Sequence, residues 1–227
     1  MTAYDGVRAQ VADASRRLAA EGLLIGTAGN VSAVDASSGH VAVTATGVVL
    51  GECSPEHVTV VDRDGNVVLG DLEPTSEVEL HLAAVGRAGA LAVVHTHAPA
   101  ATAVGCVQDE LPVIHYQQLL LGGAIPVVPY ATFGSTELAD GVTAALTGRS
   151  AALMANHGAV TTGGDLAKAV ENALLLEWCC RLLLDATVLG SPRFLDEVQQ
   201  AAVIEAALAR SYGTTRAVAD RHPEETP

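Results

Sequence analysis

Short runs of β-branched residues alternate with segments of helical hydrophobic spacing over nearly the whole chain, and this alternation limits the folds open to it. The predicted strands are 31–34, 40–44, 58–61, 67–69, 91–97, 112–116, 125–129 and 151–155. The predicted helices are 7–22, 76–86, 100–106, 137–146, 165–189 and 195–211, with a helical turn through residue 121. Helices distributed through a strand-rich chain predict a sheet covered by helices on both faces, and the turn at 64–66 predicts an antiparallel early part.

Local signals mark the boundaries of helices and of the domain. Gly22 stands where the first helix needs a left-handed residue at its C-terminus. Ser76, followed three residues later by Glu79, has the pattern of a capping box and predicts a helix start. No repeat or linker divides residues 1–212, which we interpret as one domain. The polar segment 213–227 offers little to bury, and we expect a mobile tail there.

The charge balance excludes several classes of partner. Lys and Arg number 12 against 26 Asp and Glu, a net charge of −14, so the surface should repel nucleic acids and anionic membranes. The apolar segment 173–189 is interrupted by Glu177, Arg181 and Asp185, which is typical of a packed helix and not of a membrane span. The N-terminus shows no targeting pattern, so we expect a cytoplasmic protein. The cysteines lack the two-residue spacing that is typical of thiolate metal sites, so we expect reduced thiols.

Two histidines end one predicted strand and a third follows another. His95 and His97 lie two residues apart, so the period of a strand places both rings on one face. His157 follows the run 151–155 and can approach the same point from a neighbouring strand end. Three neutral imidazoles suit zinc and leave a position for water or substrate. A lone histidine is more often a core or surface residue than a ligand, and we interpret the others as structural or exposed: His40, His57, His81, His115 and His222.

Other candidate groups have two readings each. Glu77 in the segment 71–79 is either a partner of the helix dipole or a general base beside the metal. The segments 26–30 and 44–47 combine glycine with small hydroxyl residues, which form plain turns or cradle a phosphate through backbone N–H groups. A neutral cradle would let an acidic protein bind a phosphate without a cluster of Lys or Arg.

Taken together, these residues resemble the class II aldolase and adducin-head family, most closely its L-fuculose-1-phosphate aldolase branch. The resemblance covers nearly the whole chain. It rests on Gly-Thr-Ala-Gly-Asn-Val-Ser at 26–32, Thr-Gly at 46–47, Ser-Glu at 76–77, His-Thr-His at 95–97, Ile-His-Tyr at 114–116, Pro-Tyr-Ala-Thr-Phe-Gly at 129–134 and Asn-His-Gly at 156–158. It implies an α/β fold, a three-layer α/β/α sandwich with a largely antiparallel central sheet, assembled as a homotetramer with active sites between subunits.

The resemblance also implies roles for individual residues. His95, His97 and His157 match zinc ligands, with Mn²⁺ or Co²⁺ as alternatives. Glu77 matches the acid/base carboxylate, and Tyr116 a tyrosine donated by the adjacent subunit. The positions that match phosphate-binding residues are Gly29, Asn30, Thr46, Gly47, Thr75 and Ser76, while Phe133 and Tyr212 match residues that line the substrate pocket.

Two positions depart from the family pattern. Thr75 stands where these aldolases commonly have serine, so the extra methyl group can shift the phosphate slightly. Ala45 stands where many members have proline.

The implied reaction is the reversible cleavage of a ketose 1-phosphate to dihydroxyacetone phosphate and an aldehyde. Zinc would stabilise the enediolate, Glu77 would exchange the proton on its carbon, and Tyr116 would serve the departing aldehyde. Within the family, a pentulose-5-phosphate 4-epimerase is the first alternative, although those enzymes typically carry Asp in place of Glu77. Sugar-phosphate dehydratases and decarboxylating members are others. A binding domain like the adducin head is the alternative without chemistry, but such domains lose the metal ligands.

Overall fold

The structure is a computed structural model that describes residues 3–210, 212, 213 and 215. Its α-helices in that part of the chain are Asp5–Ala20 (α1), Val78–Arg87 (α2), Pro99–Gly105 (α3), Thr136–Ala145 (α4), Leu166–Leu189 (α5) and Glu197–Arg210 (α6). The strands are Asn30–Val34 (β1), Val41–Thr44 (β2), Val58–Val61 (β3), Val67–Leu69 (β4), Ala92–Thr96 (β5), Glu110–Leu111 (β6), Ile125–Val128 (β7), Ala151–Met154 (β8) and Gly158–Gly163 (β9). Short 3-10 helices cover Leu50–Glu52, Pro55–His57 and Tyr116–Leu121.

All these strands belong to one sheet, in the order β4-β3-β2-β1-β5-β9-β8-β7-β6. The sheet is mixed, which corrects the expectation of a largely antiparallel one: β7 and β8 run parallel, with Val127 opposite Leu153. The reason lies in the connection, because α4 joins these two strands and a strand–helix–strand crossover brings the chain back in the same direction. The early part, from β1 to β4, is antiparallel as predicted.

Buried side chains divide between two hydrophobic cores, one on each face of the sheet. Along β5, Ala92 and Val94 enter one core while Val93 enters the other, as the two-residue period of a strand requires. Helices α1, α3 and α5 complete the first core, and α2 and α4 complete the second. The sheet is therefore the middle of three layers.

The predicted strand at 112–116 does not form. Residues 112–114 have no regular structure, and Tyr116 begins a 3-10 helix. The backbone here pairs with the buried side chain of Gln118, which accepts from Ile114 N at 3.2 Å and donates to Pro112 O at 3.1 Å. Pro112 itself has no N–H to give to a neighbouring strand. An apolar run is therefore held by one amide side chain in place of a strand partner.

Two further features differ from the predictions and one agrees with them. Strand β9 was not predicted, since glycines bound it at both ends and glycine is depleted in strands. Helix α2 starts at Val78, and the expected capping box is wrong: Glu77 is the N-cap residue and makes no capping hydrogen bond. Gly22 does adopt a left-handed conformation, with φ at 76°. The expected tail, 213–227, lies outside the described residues except for 213 and 215.

Candidate metal centre and active site

The antiparallel pairing of β5 with β9 brings the three histidines together. His95 lies in β5 and His97 directly follows it, while His157 directly precedes β9. Because Thr96 pairs with Ala159, the end of β5 meets the start of β9. The ligand-type nitrogen atoms of His95, His97 and His157 all lie within 4.8 Å of one another.

The histidine rings point their nitrogen lone pairs at a common centre. His95 Nδ1 donates to Ala159 O at 3.0 Å, and since a carbonyl only accepts, this nitrogen carries a proton. The other nitrogen, Nε2, faces His97 Nε2 at 3.0 Å. Burial, helped by the neighbouring His95 and His157, lowers the pKa of His97 to about 4. Burial likewise lowers the pKa of His157.

The carboxylate of Glu77 closes the remaining side of this centre. Its Oε2 lies 3.2 Å from His95 Nε2, and its Oε1 lies 3.5 Å from His157 Nε2. Burial opposes the ionisation of Glu77, but the attraction of His95, together with a 2.9 Å hydrogen bond from Asn30 Nδ2, outweighs it and holds the pKa of this carboxyl well below its usual range. Glu77 is therefore an anion at neutral pH.

This donor set fits a divalent cation. Lone pairs as close as those of His95 Nε2, His97 Nε2 and Glu77 Oε2 repel one another unless a proton or a metal ion lies among them. Burial disfavours a proton on His97 and on His157. Glu77 Oε1 is buried and makes no hydrogen bond to any described residue, which is the orphaned acceptor a cation would satisfy. Three imidazoles beside a carboxylate suit a transition-metal ion.

A cavity of about 420 Å³ opens above the carboxylate and two of the histidines. Small hydroxyl and glycine residues dominate one side of it, and the lining contains neither Lys nor Arg. The φ of Gly29 is +94°, and a Cβ there would lie 2.9 Å from His95 O, so the loop before β1 needs glycine to pack against the histidine strand. The lining residues are Thr27, Ala28, Gly29, Asn30, Ala45, Thr46, Gly47, Thr75, Ser76, Glu77, His97, Tyr130, Ala131, Phe133, Asn156 and His157.

Two of the expected site residues lie elsewhere. Tyr116 and Tyr212 line a separate, mostly apolar cavity of about 690 Å³ between the 3-10 helix at Tyr116–Leu121 and α6. Their hydroxyl oxygens are 3.1 Å apart, and both side chains are exposed. Every other expected substrate-binding residue lines the cavity beside Glu77. The structure thus separates the two tyrosines from the histidine cluster of their own chain.

Some residues at the site had no predicted role. Asn156 is the one non-glycine residue of the described chain with a positive φ, 55°, and its side chain lies beside the exposed Cys106. The Asn-His-Gly turn was a signal for this, since Asn tolerates the left-handed region. Glu177 of α5 accepts hydrogen bonds from Ala100 N and Ala101 N, which anchors the start of α3 just after His97. His81, placed among the structural histidines, is buried beside Asn30.

Comparison with known proteins places this architecture in a family. Residues 9–184 match the family described as "Class II Aldolase and Adducin N-terminal domain". The L-fuculose phosphate aldolase of Escherichia coli K12 is 37% identical over 199 residues, 86% of this chain and 91% of that protein. The 5-deoxy-D-ribulose 1-phosphate aldolase of Bacillus thuringiensis serovar kurstaki is 31% identical over 191 residues, 84% of this chain and 90% of that protein.

A solved structure of an L-fuculose 1-phosphate aldolase agrees, with a TM-score of 0.84, 31% identity, and coverage of 88% of this chain and 95% of that one. The chain belongs to the class II aldolase and adducin N-terminal domain family. Its fold, its histidine cluster and its relatives define a metal-dependent aldehyde-lyase of class II.

Among the described residues, no helix combines the length and the apolar character that a membrane crossing requires.

Proposed function

We propose that this enzyme reversibly cleaves a ketose 1-phosphate to dihydroxyacetone phosphate and an aldehyde. The observation that carries the proposal is the buried Glu77 carboxylate, which lies 3.2 Å and 3.5 Å from two of the three clustered imidazoles, beside a hydroxyl-lined cavity whose lining has no Lys or Arg. Relatives that match over most of this chain are named for aldol reactions on L-fuculose phosphate and on 5-deoxyribulose 1-phosphate. L-fuculose 1-phosphate or a similar deoxy-ketose 1-phosphate is the proposed substrate.

We assign the metal to His95, His97 and His157 and propose zinc, with manganese or cobalt as the alternatives. A divalent ion bound there supplies positive charge that withdraws electrons from the carbonyl and neighbouring hydroxyl groups of the substrate. The buried position of His95, with no exposed surface, and its hydrogen bond to Ala159 O hold the ring in one orientation for this purpose.

The phosphate group is proposed to bind the hydroxyl-rich side of the cavity. Hydroxyl groups and backbone N–H groups there would donate to the phosphate oxygens, and α2 begins two residues after Ser76, so its N-terminus faces the same region. A cradle without cations holds the phosphate by hydrogen bonds alone. The residues assigned to it are Gly29, Asn30, Thr46, Gly47, Thr75 and Ser76, and Phe133 is assigned to the rest of the substrate.

Glu77 is proposed to move the proton at the carbon whose bond is broken. Its carboxylate is ionised, so it can accept a proton, and Oε1 has no hydrogen-bond partner among the described residues. The Asn30 N–H group stabilises the other oxygen, Oε2.

Tyr116 is proposed to act in the cavity of a neighbouring subunit, on the proton of the departing aldehyde's oxygen, with Tyr212 beside it. Its hydroxyl lies apart from the histidine cluster of its own chain, in an exposed apolar cavity that a second copy can cover. This assignment requires at least two subunits, and we propose a homotetramer with active sites between subunits. The four free cysteines agree with the cytoplasmic location that we propose for it.

Subunit complementation tests this assignment. Chains carrying Glu77→Gln and Tyr116→Phe, each inactive alone, are co-expressed with different affinity tags, and the hybrids are purified and assayed. Hybrids should regain retro-aldol activity, because some cavities combine an intact Glu77 with an intact Tyr116 from the neighbouring chain. Hybrids of Glu77→Gln with His157→Ala are the control and should stay inactive, since both residues belong to one cavity. Hybrids of the first pair that stay as inactive as their parents contradict the shared site.

A further inference from the structure

A chain of buried polar side chains leads from β1 and α2 to the Glu77 carboxylate. Ser32 Oγ lies 2.6 Å from His81 Nδ1, and His81 Nε2 lies 2.5 Å from Asn30 Oδ1. Asn30 Nδ2 in turn lies 2.9 Å from Glu77 Oε2. The exposed fractions of Ser32 and His81 are 0%, of Asn30 4% and of Glu77 6%. Water cannot replace a missing partner at Ser32 or His81, whereas Asn30 and Glu77 border the cavity.

The direction of each hydrogen bond follows from the groups themselves. The Glu77 carboxylate can only accept, so Asn30 presents its N–H group to Glu77 and its carboxamide oxygen to His81. That oxygen can only accept, so His81 Nε2 carries the proton between them. Burial lowers the pKa of His81 to about 3, so the ring is neutral and holds one proton. Its Nδ1 is therefore a bare acceptor, and the Ser32 hydroxyl donates to it. Every bond in the chain donates toward Glu77.

The Nε2 proton of His81 in turn stabilises the same orientation of the Asn30 amide. A reversed amide would place two acceptor oxygens 2.9 Å apart, at the present distance between Asn30 Nδ2 and Glu77 Oε2, and would set its NH₂ group against His81 Nε2–H. Thr75 Oγ1, 3.1 Å from Asn30 Nδ2, does not select an orientation, since a hydroxyl both donates and accepts. Among the described contacts, the orientation is therefore selected by His81 and by Glu77.

Of these two, His81 is fully buried with a neutral ring, whereas Glu77 is the residue proposed to gain and lose a proton during catalysis. A protonated Glu77 can donate, and it would then accept either orientation of the Asn30 amide. We propose that His81, held by Ser32, is a positioning residue that fixes the Asn30 amide so that its N–H group always faces Glu77. This inference rests on the proposed role of Glu77 as the acid/base.

Two substitutions of His81 separate positioning from packing. Gln places an amide N–H near the site of Nε2 and can still accept from Ser32, whereas Leu has similar bulk and no donor. We expect His81→Leu to slow the exchange of dihydroxyacetone phosphate hydrogen with deuterated water by about tenfold or more, with KM changed little. His81→Gln should recover most of that rate. Thr59→Val is the control, because it removes a partly buried hydrogen bond, from β3 to Leu72 O, that does not involve His81, Asn30 or Glu77, and it should leave exchange unchanged.

Long-range ¹H–¹⁵N spectra of the wild-type protein, labelled on histidine, test the same idea without any activity. The signal that His81→Gln removes should be that of a neutral ring protonated on Nε2 alone. A ring protonated on Nδ1 overturns the proposal, and so does equal exchange by His81→Leu and the wild type, or equal impairment of both His81 variants. If the wild-type protein exchanges no hydrogen at all, the proposed function fails, and the spectrum alone decides the position of the proton. The spectrum also decides if His81→Leu does not fold.

Discussion

Gly158 is the residue at which one added methyl group should most directly disturb the metal centre. It follows His157 and starts β9, and a Cβ built there lies 2.3 Å from Thr96 O and 3.2 Å from His97 Cδ2. An ordinary contact between carbon and a carbonyl oxygen is about 3.3 Å or longer, so β5 and β9 must separate by about 1 Å where His97 leaves the sheet. The obstructing atom is backbone, which cannot rotate away.

The expected cost of Gly158→Ala follows from that displacement. Overpacking of this size destabilises a protein by about 1–3 kcal/mol. A displacement of about 1 Å at a catalytic centre costs about 100-fold in rate. We therefore expect Gly158→Ala to remain folded with a lowered Tm, to bind zinc at least about tenfold more weakly in competition with a chromophoric chelator, and to lose about 100-fold in turnover.

Gly164→Ala is the matched control, because it lies just beyond the other end of β9, has no positive φ, and a Cβ there meets nothing within 4 Å. Its Tm should stay the same or rise, its free energy of unfolding should increase by at most about 1 kcal/mol, and its zinc affinity should not change. A Gly158→Ala protein with the zinc affinity and turnover of the wild type would refute the reasoning that close contact between β5 and β9 sets the histidine geometry.

Other predictions concern proton balance and helix anchoring. The pKa of His81 falls from 6.5 to about 3 on folding, so below pH 6.5 the unfolded chain binds a proton that the folded protein does not bind. The contribution of His81 to the free energy of unfolding is therefore complete above pH 6.5 and is lost as the pH falls toward 3. In urea unfolding, the free energy of unfolding of the wild type should therefore fall by about 2 kcal/mol more than that of His81→Gln between pH 7 and pH 5. Equal decreases in the two proteins would contradict the buried neutral ring. Glu177→Gln, which removes the charge that accepts from Ala100 N and Ala101 N, should lower stability by about 1–2 kcal/mol and weaken zinc binding through the start of α3; an unchanged Tm counts against that anchoring.

The parts of the fold that the sequence predicts are those decided by local pattern. The run 58–61 became β3 residue for residue, and 31–34 differs from β1 by one residue, because alternating β-branched residues feed two cores in turn. The grouping of His95 with His97 also follows from the period of a strand. Strand β9 was not predicted because Gly158 is required by the close approach of β5 and Gly163 by the close approach of the segment 165–169, and these contacts cannot be read from the local pattern of residues.

Contacts between distant segments could not be read from the sequence either. The side chain of Gln118 forms hydrogen bonds with the backbone of residues 112 and 114, so an apolar run with the pattern of a strand is irregular in the structure. His81 looked like an ordinary helix histidine, since nothing near it in sequence reveals that Asn30 and Ser32 lie across from its ring. Ser76 and Glu79 fit a capping box, but the Glu77 carboxylate is directed to the histidines, and the helix starts without that cap.

The measurement that tests the central claim most directly is retro-aldol turnover on a panel of ketose 1-phosphates, with the release of dihydroxyacetone phosphate followed by a coupled assay. The panel contains L-fuculose 1-phosphate, 5-deoxyribulose 1-phosphate and 5-methylthioribulose 1-phosphate, and each is assayed before chelation, after chelation and after zinc is restored. We expect release from at least one substrate, lost on chelation and recovered with zinc. No release from any of them by a protein confirmed to hold zinc would contradict it.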